Sequence, residues 1–391
     1  MFSLRKAIAV VIALCIAIAG GQVIRLDCNR DFQTQVRNAP EGAELVGSMD
    51  CTFTLSQEVQ IGKPLRIRNF RAQLRPGLGN TAAMIISSRG VQLFDFELIG
   101  NKDTVSFEDR ESLLRVNAGG FSIINGTFVN SSRDGITVVP VGSTRTPITG
   151  GSIRNIYGYG VERDVVAVNS RHGLLTSRIY INGVEGYDSA QKGAVEVADG
   201  CQWIFVQNVY CERCFYAVSI QDHIRRERAG DAESQIQANH HIRFYNIRGR
   251  DLRYGVISET SPIGHSDITY TRLEFSDCRQ AVYLRYMNDV SMRFLQVEQP
   301  KTGSPIVLAE ECNRVRLSNA VFRNSRHRGI AIATNDCTEL YVGSVVLESD
   351  TQFWAGLRVE VPPSLTGVPV TTAYNRFEAA RNGVIIRRFR G

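Results

Sequence analysis

Between Asn239 and Val342 the chain repeats one pattern four times. Ile242, Ile268, Val290 and Val315 open the units. Phe244, Tyr270, Met292 and Leu317 come two residues later, and Ile247, Leu273, Leu295 and Ala320 three after that. A second pair closes each unit: Val256 and Ser258, Val282 and Leu284, Ile306 and Leu308, Ile330 and Ile332. The openings stand 26, 22 and 25 residues apart. A period in that range, with two short alternating strands per unit, is the mark of a stacked-repeat architecture. Alternation at i, i+2 turns one face of each strand inward. No amphipathic helix fits between the strands, which excludes leucine-rich and βαβ arrays.

One unit cannot fold by itself. Its five or six inward side chains each gain roughly 1.5–3 kcal/mol on burial. Each of its two dozen residues loses roughly 1–2 kcal/mol of backbone entropy on ordering. Stacking supplies the missing stabilisation through shared backbone hydrogen bonds and one continuous core.

The closing strands carry a common signature after a polar turn: Gly135 to Val138, Ala194 to Val197, Ala217 to Ile220, Ala281 to Leu284 and Gly329 to Ile332. This pattern resembles the right-handed parallel β-helix of the pectate lyase-like superfamily and covers nearly all of the chain. The resemblance implies an all-β, single-stranded solenoid. Anchors at Ile85, Leu114, Ile136, Val166, Val195, Val218, Val256, Val282, Ile306, Ile330, Leu357 and Val384 give about twelve rungs.

The flanks of the repeat fix the expected domain plan. Residues 1–20 read as a secretory signal: Arg5 and Lys6, an apolar run from Ala7, and a cleavage site at Ala17-Ile18-Ala19. The protein is therefore expected outside the cell or in the periplasm, with no membrane association once the signal is removed. Residues 21–391 form one β-helix domain. Within it, 28–51 is a cap, about 52–361 the rungs, and 362–391 a last rung and tail. Asp31 to Ala39 reads as a short helix capped by Asp31 and ended by Pro40, closing the open end of the stack.

Without Cys15, eight of the nine cysteines remain, an even number that suits disulfides in a secreted chain. Cys28 and Cys51 bracket the cap. Cys312 and Cys337 lie one rung apart, where stacked Cα atoms are about 4.8 Å from each other, within disulfide range. Cys211 and Cys214 form a lone CxxC, without the second ligand pair that zinc requires. Pairing among Cys201, Cys211, Cys214 and Cys278 stays open.

Ionisable residues thicken on the middle rungs. Asp134 and Asp164 precede adjacent closing strands, and Glu196 sits at the centre of the next. Around them are His172, Lys192, Asp222, His223, Arg253, Tyr283 and Arg285, beside a long polar insertion, Gln221 to Asn239. Loops on a rigid solenoid build its functional face. Two carboxylates flanking a glycosidic bond make a hydrolase, and Asp134, Asp164 and Glu196 are the candidates. Arg133-Asp134-Gly135-Ile136 resembles the Asn-Thr-Asp-Gly motif of the polygalacturonase family, without its asparagine. Arg163 stands before Asp164 where that family has a second aspartate. A lyase would use a basic residue to take a proton, with Ca²⁺ or cationic side chains neutralising a uronate. Lys192, Arg253, Arg279 and Arg285 suit that role, with His172, His223 and Tyr283 as alternatives and Asp222 beside His223. The net charge of +6, reduced to about +4 without the signal, matches an acidic polysaccharide. Secretion and fold argue against nucleic acid. The third class is a non-catalytic sugar-binding or surface-structural scaffold.

Overall fold

The computed structural model describes residues 21–388 apart from 141–145, 172, 190, 224–237, 260–263, 302–304, 324–328, 349–352, 362–369, 374 and 378–379. The expected signal therefore lies outside the described residues, as do His172, most of the long insertion and the prolines near the C-terminus. Strands from alternate positions in the chain stack into two parallel sheets, one 15-stranded and one 13-stranded. The result is a right-handed parallel β-helix. The second sheet has one strand more than the twelve anchors, Val59–Ile61.

The four aligned units fall into register as the pattern requires. Ile242 pairs with Ile268, Ile268 with Val290 and Val290 with Val315. The later closing strands are shifted: Val282 pairs with Val307, not Ile306, and Ile332, not Ile330, faces Leu357. The first is a one-residue shift, which exchanges the faces: Val307 and Ala309 point inward there, not Leu308. The second is a two-residue shift, which leaves the inward face unchanged, so apolar pattern alone does not separate those registers.

Long strands of the first sheet bend in the middle. Asn125, Asn155, Asn208 and Asn246 hold φ between 52 and 55° at equivalent positions. Asparagine tolerates this left-handed conformation better than most residues. Their amides link successive rungs: Asn155 donates to Asn125 at 3.0 Å and Asn246 to Asn208 at 2.7 Å.

Inside, apolar columns run the length of the helix, with stacked rings at Phe70–Phe96 and Phe244–Tyr270. Leu273 is fully buried between Ile247 and Leu295. Leu273→Ala is expected to lower stability by about 2–5 kcal/mol, read from the shift in a urea unfolding curve. The N-terminal end is covered by a helix, Phe32–Asn38, whose Phe32 and Val36 are buried. Asp31 caps it by accepting from the Thr34 amide at 2.7 Å.

Cys28 and Cys51 are bonded. Cys312 and Cys337 are not: both are buried free thiols, one rung apart and in contact. The Cys312 thiol faces the Glu310 carbonyl at 3.1 Å and the Cys337 thiol the Ala309 carbonyl at 3.5 Å. Cys211 instead bonds Cys214 across a corner. Arg213, at φ 54°, turns the chain back so that both sulfurs meet.

Candidate functional site

Three successive rungs of the second sheet bring Asp134, Asp164 and Glu196 together. Thr137, Ala167, Glu196 and Ser219 form one register row. The small neighbours Ala167 and Ser219 leave room for the glutamate to lie along the sheet. Asp134 and Asp164 reach the same place from the turns before their strands. All three are buried, Asp164 and Glu196 completely.

Cations cover these carboxyls. Lys192 donates to Glu196 and lies 3.7 Å from Asp164 Oδ2. Arg163 lies 3.6 Å from Asp134 Oδ1 and 3.9 Å from Glu196 Oε2. His223 Nε2 is 3.7 Å from Glu196, while its Nδ1 is 3.1 Å from Asp199. Beneath them the Tyr216 hydroxyl donates to Asp164 Oδ1 at 2.7 Å and contacts Glu196 Oε1 at 3.3 Å. Those two carboxyl oxygens are thus at most about 6 Å apart, the sum of the two distances. Gly193 makes this possible, because the backbone and ring of Tyr216 occupy the space its Cβ would need.

Asp134 differs from the other two. Its Oδ2 accepts from Thr137 at 2.9 Å and Ser112 at 3.3 Å, and its Oδ1 from the Asp164 amide at 3.2 Å. Both oxygens are committed to holding the turn. Asp164 Oδ2 and Glu196 Oε2 are buried with cations nearby but no hydrogen bond.

The environment splits the pair. Burial, and then the charge of Glu196, raises Asp164 to about 8. Burial pushes Glu196 upward too, but the hydrogen bond and charge of His223, with Lys192, outweigh it and hold that carboxyl well below its usual range. His223 is raised to about 10: burial opposes its charge, and Asp199 and Glu196 prevail. Burial also opposes charge on Arg163, yet the carboxylates around it keep it firmly protonated. At neutral pH this is a protonated Asp164 beside an ionised Glu196, the division of states that acid–base pairs use.

A strip of rings leads away from the pair along the same sheet. Phe215 contacts Tyr216 and Tyr254 at 6.1 and 5.4 Å, and Tyr254 stacks on Tyr283 at 6.0 Å. Arg253 lies over Phe215 at 4.9 Å. The Tyr283 hydroxyl bonds Glu310 at 3.0 Å. Lys192 and His223 therefore join the carboxyls, and Arg253 and Tyr283 line the strip beside them. Arg285 stands apart, paired with Glu311 at 2.6 Å. Asp222 is buried next to His223. Tyr216 and Arg163 are absent from the sequence-derived site. Tyr216 reads there as an ordinary strand residue, and the glycine one rung before it is the signal that marks its place. Among the described residues no group of three or more His, Cys, Asp or Glu side chains is arranged to hold a metal ion, and none of the helices is long and apolar enough to cross a membrane.

No family model matches the chain, and no curated protein matches it. Solved structures do. The N-terminal fragment of bacteriophage Phi29 gene product 12 superposes with a TM-score of 0.63 at 13% identity, over 87% of this chain and 62% of that one. This chain thus spans less than two thirds of that fragment. The Siphovirus 9NA tailspike receptor binding domain gives 0.55 at 10% identity, over 94% and 76%. A family 28 exopolygalacturonase of Yersinia enterocolitica gives 0.50 at 10% identity, over 94% and 78%. At such identities the likeness is one of fold alone, the parallel β-helix.

Proposed function

We propose that the protein is a secreted glycan-binding β-helix that hydrolyses an acidic polysaccharide at the carboxyl cluster of its second sheet. The observation that carries this reading is the split pair: protonated Asp164 and ionised Glu196, bridged by Tyr216. Asp164 is the acid for the leaving oxygen and Glu196 the ionised partner. Their separation, at most about 6 Å, falls short of the roughly 6.5–9.5 Å of inverting enzymes, which suits attack by Glu196 itself and retention of configuration. Arg133, Arg163, Lys192 and His223 form the accessible rim, with 46, 23, 17 and 42% of their side chains exposed. A sugar carboxylate would meet these cations first. The ring strip from Phe215 to Tyr283 offers stacking places for neighbouring sugars. Asp134 positions the Asp164 turn.

Cleavage requires Lys192 and His223 to move aside, because both carboxyls are covered. That coverage favours a second reading, in which the cluster binds an acidic glycan without cleaving it. One experiment separates the two. The purified protein is incubated with acidic and neutral polysaccharides, with and without Ca²⁺, and reducing ends, unsaturated products and anomeric configuration are followed together. Saturated products of retained configuration are expected. Unsaturated products would replace the hydrolase with a lyase, and binding without any product would leave the scaffold reading.

A further inference from the structure

The first sheet carries exposed aromatic residues where the backbone disfavours them. Trp203 and Phe294 hold φ of 56 and 60°, a strained setting for bulky side chains. Both rings face solvent, 46 and 55% exposed, so burial does not offset that strain. At the Phe294 position the next rung has Asn319, the residue such a bend favours. Trp203 is the centre of a local group. Its ring stacks on His241 at 4.1 Å. Phe205, two residues on, is 47% exposed and pairs in register with Tyr180 one rung before. Arg178, Tyr180, Trp203 and Phe205 line an open hollow of about 420 Å³, and none of its lining residues is a carboxylate. The Arg154 guanidinium lies over the Tyr180 ring at 5.3 Å. The Gln207 amide donates to the Tyr180 hydroxyl at 2.6 Å.

We propose that this hollow is a second glycan site, on a different sheet from the carboxyl cluster, that holds a strand of anionic polysaccharide. A pyranose has an apolar face of C–H bonds and a rim of hydroxyls. The faces stack on Trp203 and Phe205. The anionic substituent, a carboxylate or a sulfate, pairs with Arg178 and Arg154, which matches the absence of acidic side chains in the hollow. Rings on adjacent rungs repeat at about 4.8 Å, the scale of one sugar residue. Single-stranded nucleic acid also stacks on aromatic rings, but it needs cations tracking each phosphate. The next arginine on this face, Arg243, is already held by Asp267 at 2.8 Å. A second copy of the chain would favour one continuous apolar patch, whereas polar Asn182 and Gln207 end this ring group at the next outward position along the strands.

Trp203 is one of two tryptophans, so Trp354→Phe leaves it as the only indole reporter. That protein is titrated with polygalacturonate oligomers, dextran sulfate, neutral dextran and a single-stranded DNA oligonucleotide while indole emission is followed. A saturable change is expected with polygalacturonate or dextran sulfate, and the stronger of the two identifies the anion. Arg178→Ala and Phe205→Ala should each weaken it about tenfold. Adding Asp164→Asn should leave the emission change intact, which separates this site from the proposed hydrolytic one. The proposal is overturned by no saturable change, by an equal response to neutral dextran, by tighter binding of the oligonucleotide, or by emission that depends on protein concentration alone.

Discussion

Replacing Lys192 with methionine is expected to destabilise the folded chain by roughly 1–3 kcal/mol at neutral pH, because it removes one charged donor from buried, ionised Glu196 and leaves only Arg163 and His223 beside it. Lys192 touches both Glu196 and Asp164 under a mostly closed surface. The loss should depend on pH in a defined direction. The depressed pKa of Glu196 contributes stability that is present above its unfolded value of 4.5 and disappears as pH falls through its lower folded value. The gap between wild type and Lys192→Met should therefore narrow in acid. Urea unfolding curves at neutral and strongly acidic pH measure it. A gap below about 1 kcal/mol at neutral pH would place Lys192 among ordinary solvated lysines.

Hydrolysis is expected to fail on the alkaline side near pH 8, where Asp164 gives up its proton. Asp164 faces Glu196 and Asp134, which hold the proton on, and Lys192 and Arg163, which favour its loss, with the Tyr216 hydroxyl bonded to it. The two carboxyls titrate as a unit, so the profile reports an apparent value for the pair. Asp164→Asn should reduce turnover on the order of 10²–10⁴-fold and remove the alkaline limb of what remains. Stability should follow the same proton. The unfolded chain releases it near 3.8 and the folded chain near 8, so this group favours the folded state most at the acid end of that window. Its contribution declines as pH rises across it. An Asp164→Asn protein with unchanged turnover would show that the acid lies elsewhere.

The fold was legible because its period was. Equivalent apolar residues recur at each rung, and the register joins Ile242, Ile268, Val290 and Val315 as the spacing requires. The bend in the first sheet was also written there: apolar positions 242, 244 and 247 break strict alternation, and Asn246 fills the break. The site was legible only in part. Asp134, Asp164 and Glu196 share a face because alternation and rung order put them there. Their burial was not legible, since it depends on how long side chains such as Lys192 and Arg163 fold over the sheet. Tyr216 was hidden because a tyrosine in a strand is commonplace. Arg285 was over-read: its row is right, but Glu311 on the next rung takes its guanidinium. The Cys312–Cys337 pair shows a further limit, since two thiols brought into contact along a stack are not thereby bonded.

Because each rung contributes about one residue to the carboxyl cluster, the backbone acts there as a ruler with fixed gradations. Between strand positions such as Glu196 and Ser219, distance changes only in whole rungs or by side-chain length. On the proposed glycan reading, ligand selectivity is therefore tuned in two ways. Exchanging a lysine for an arginine moves a charge by a fraction of a gradation. Duplicating or losing a rung between two binding places changes how many sugars separate them, with each place left intact.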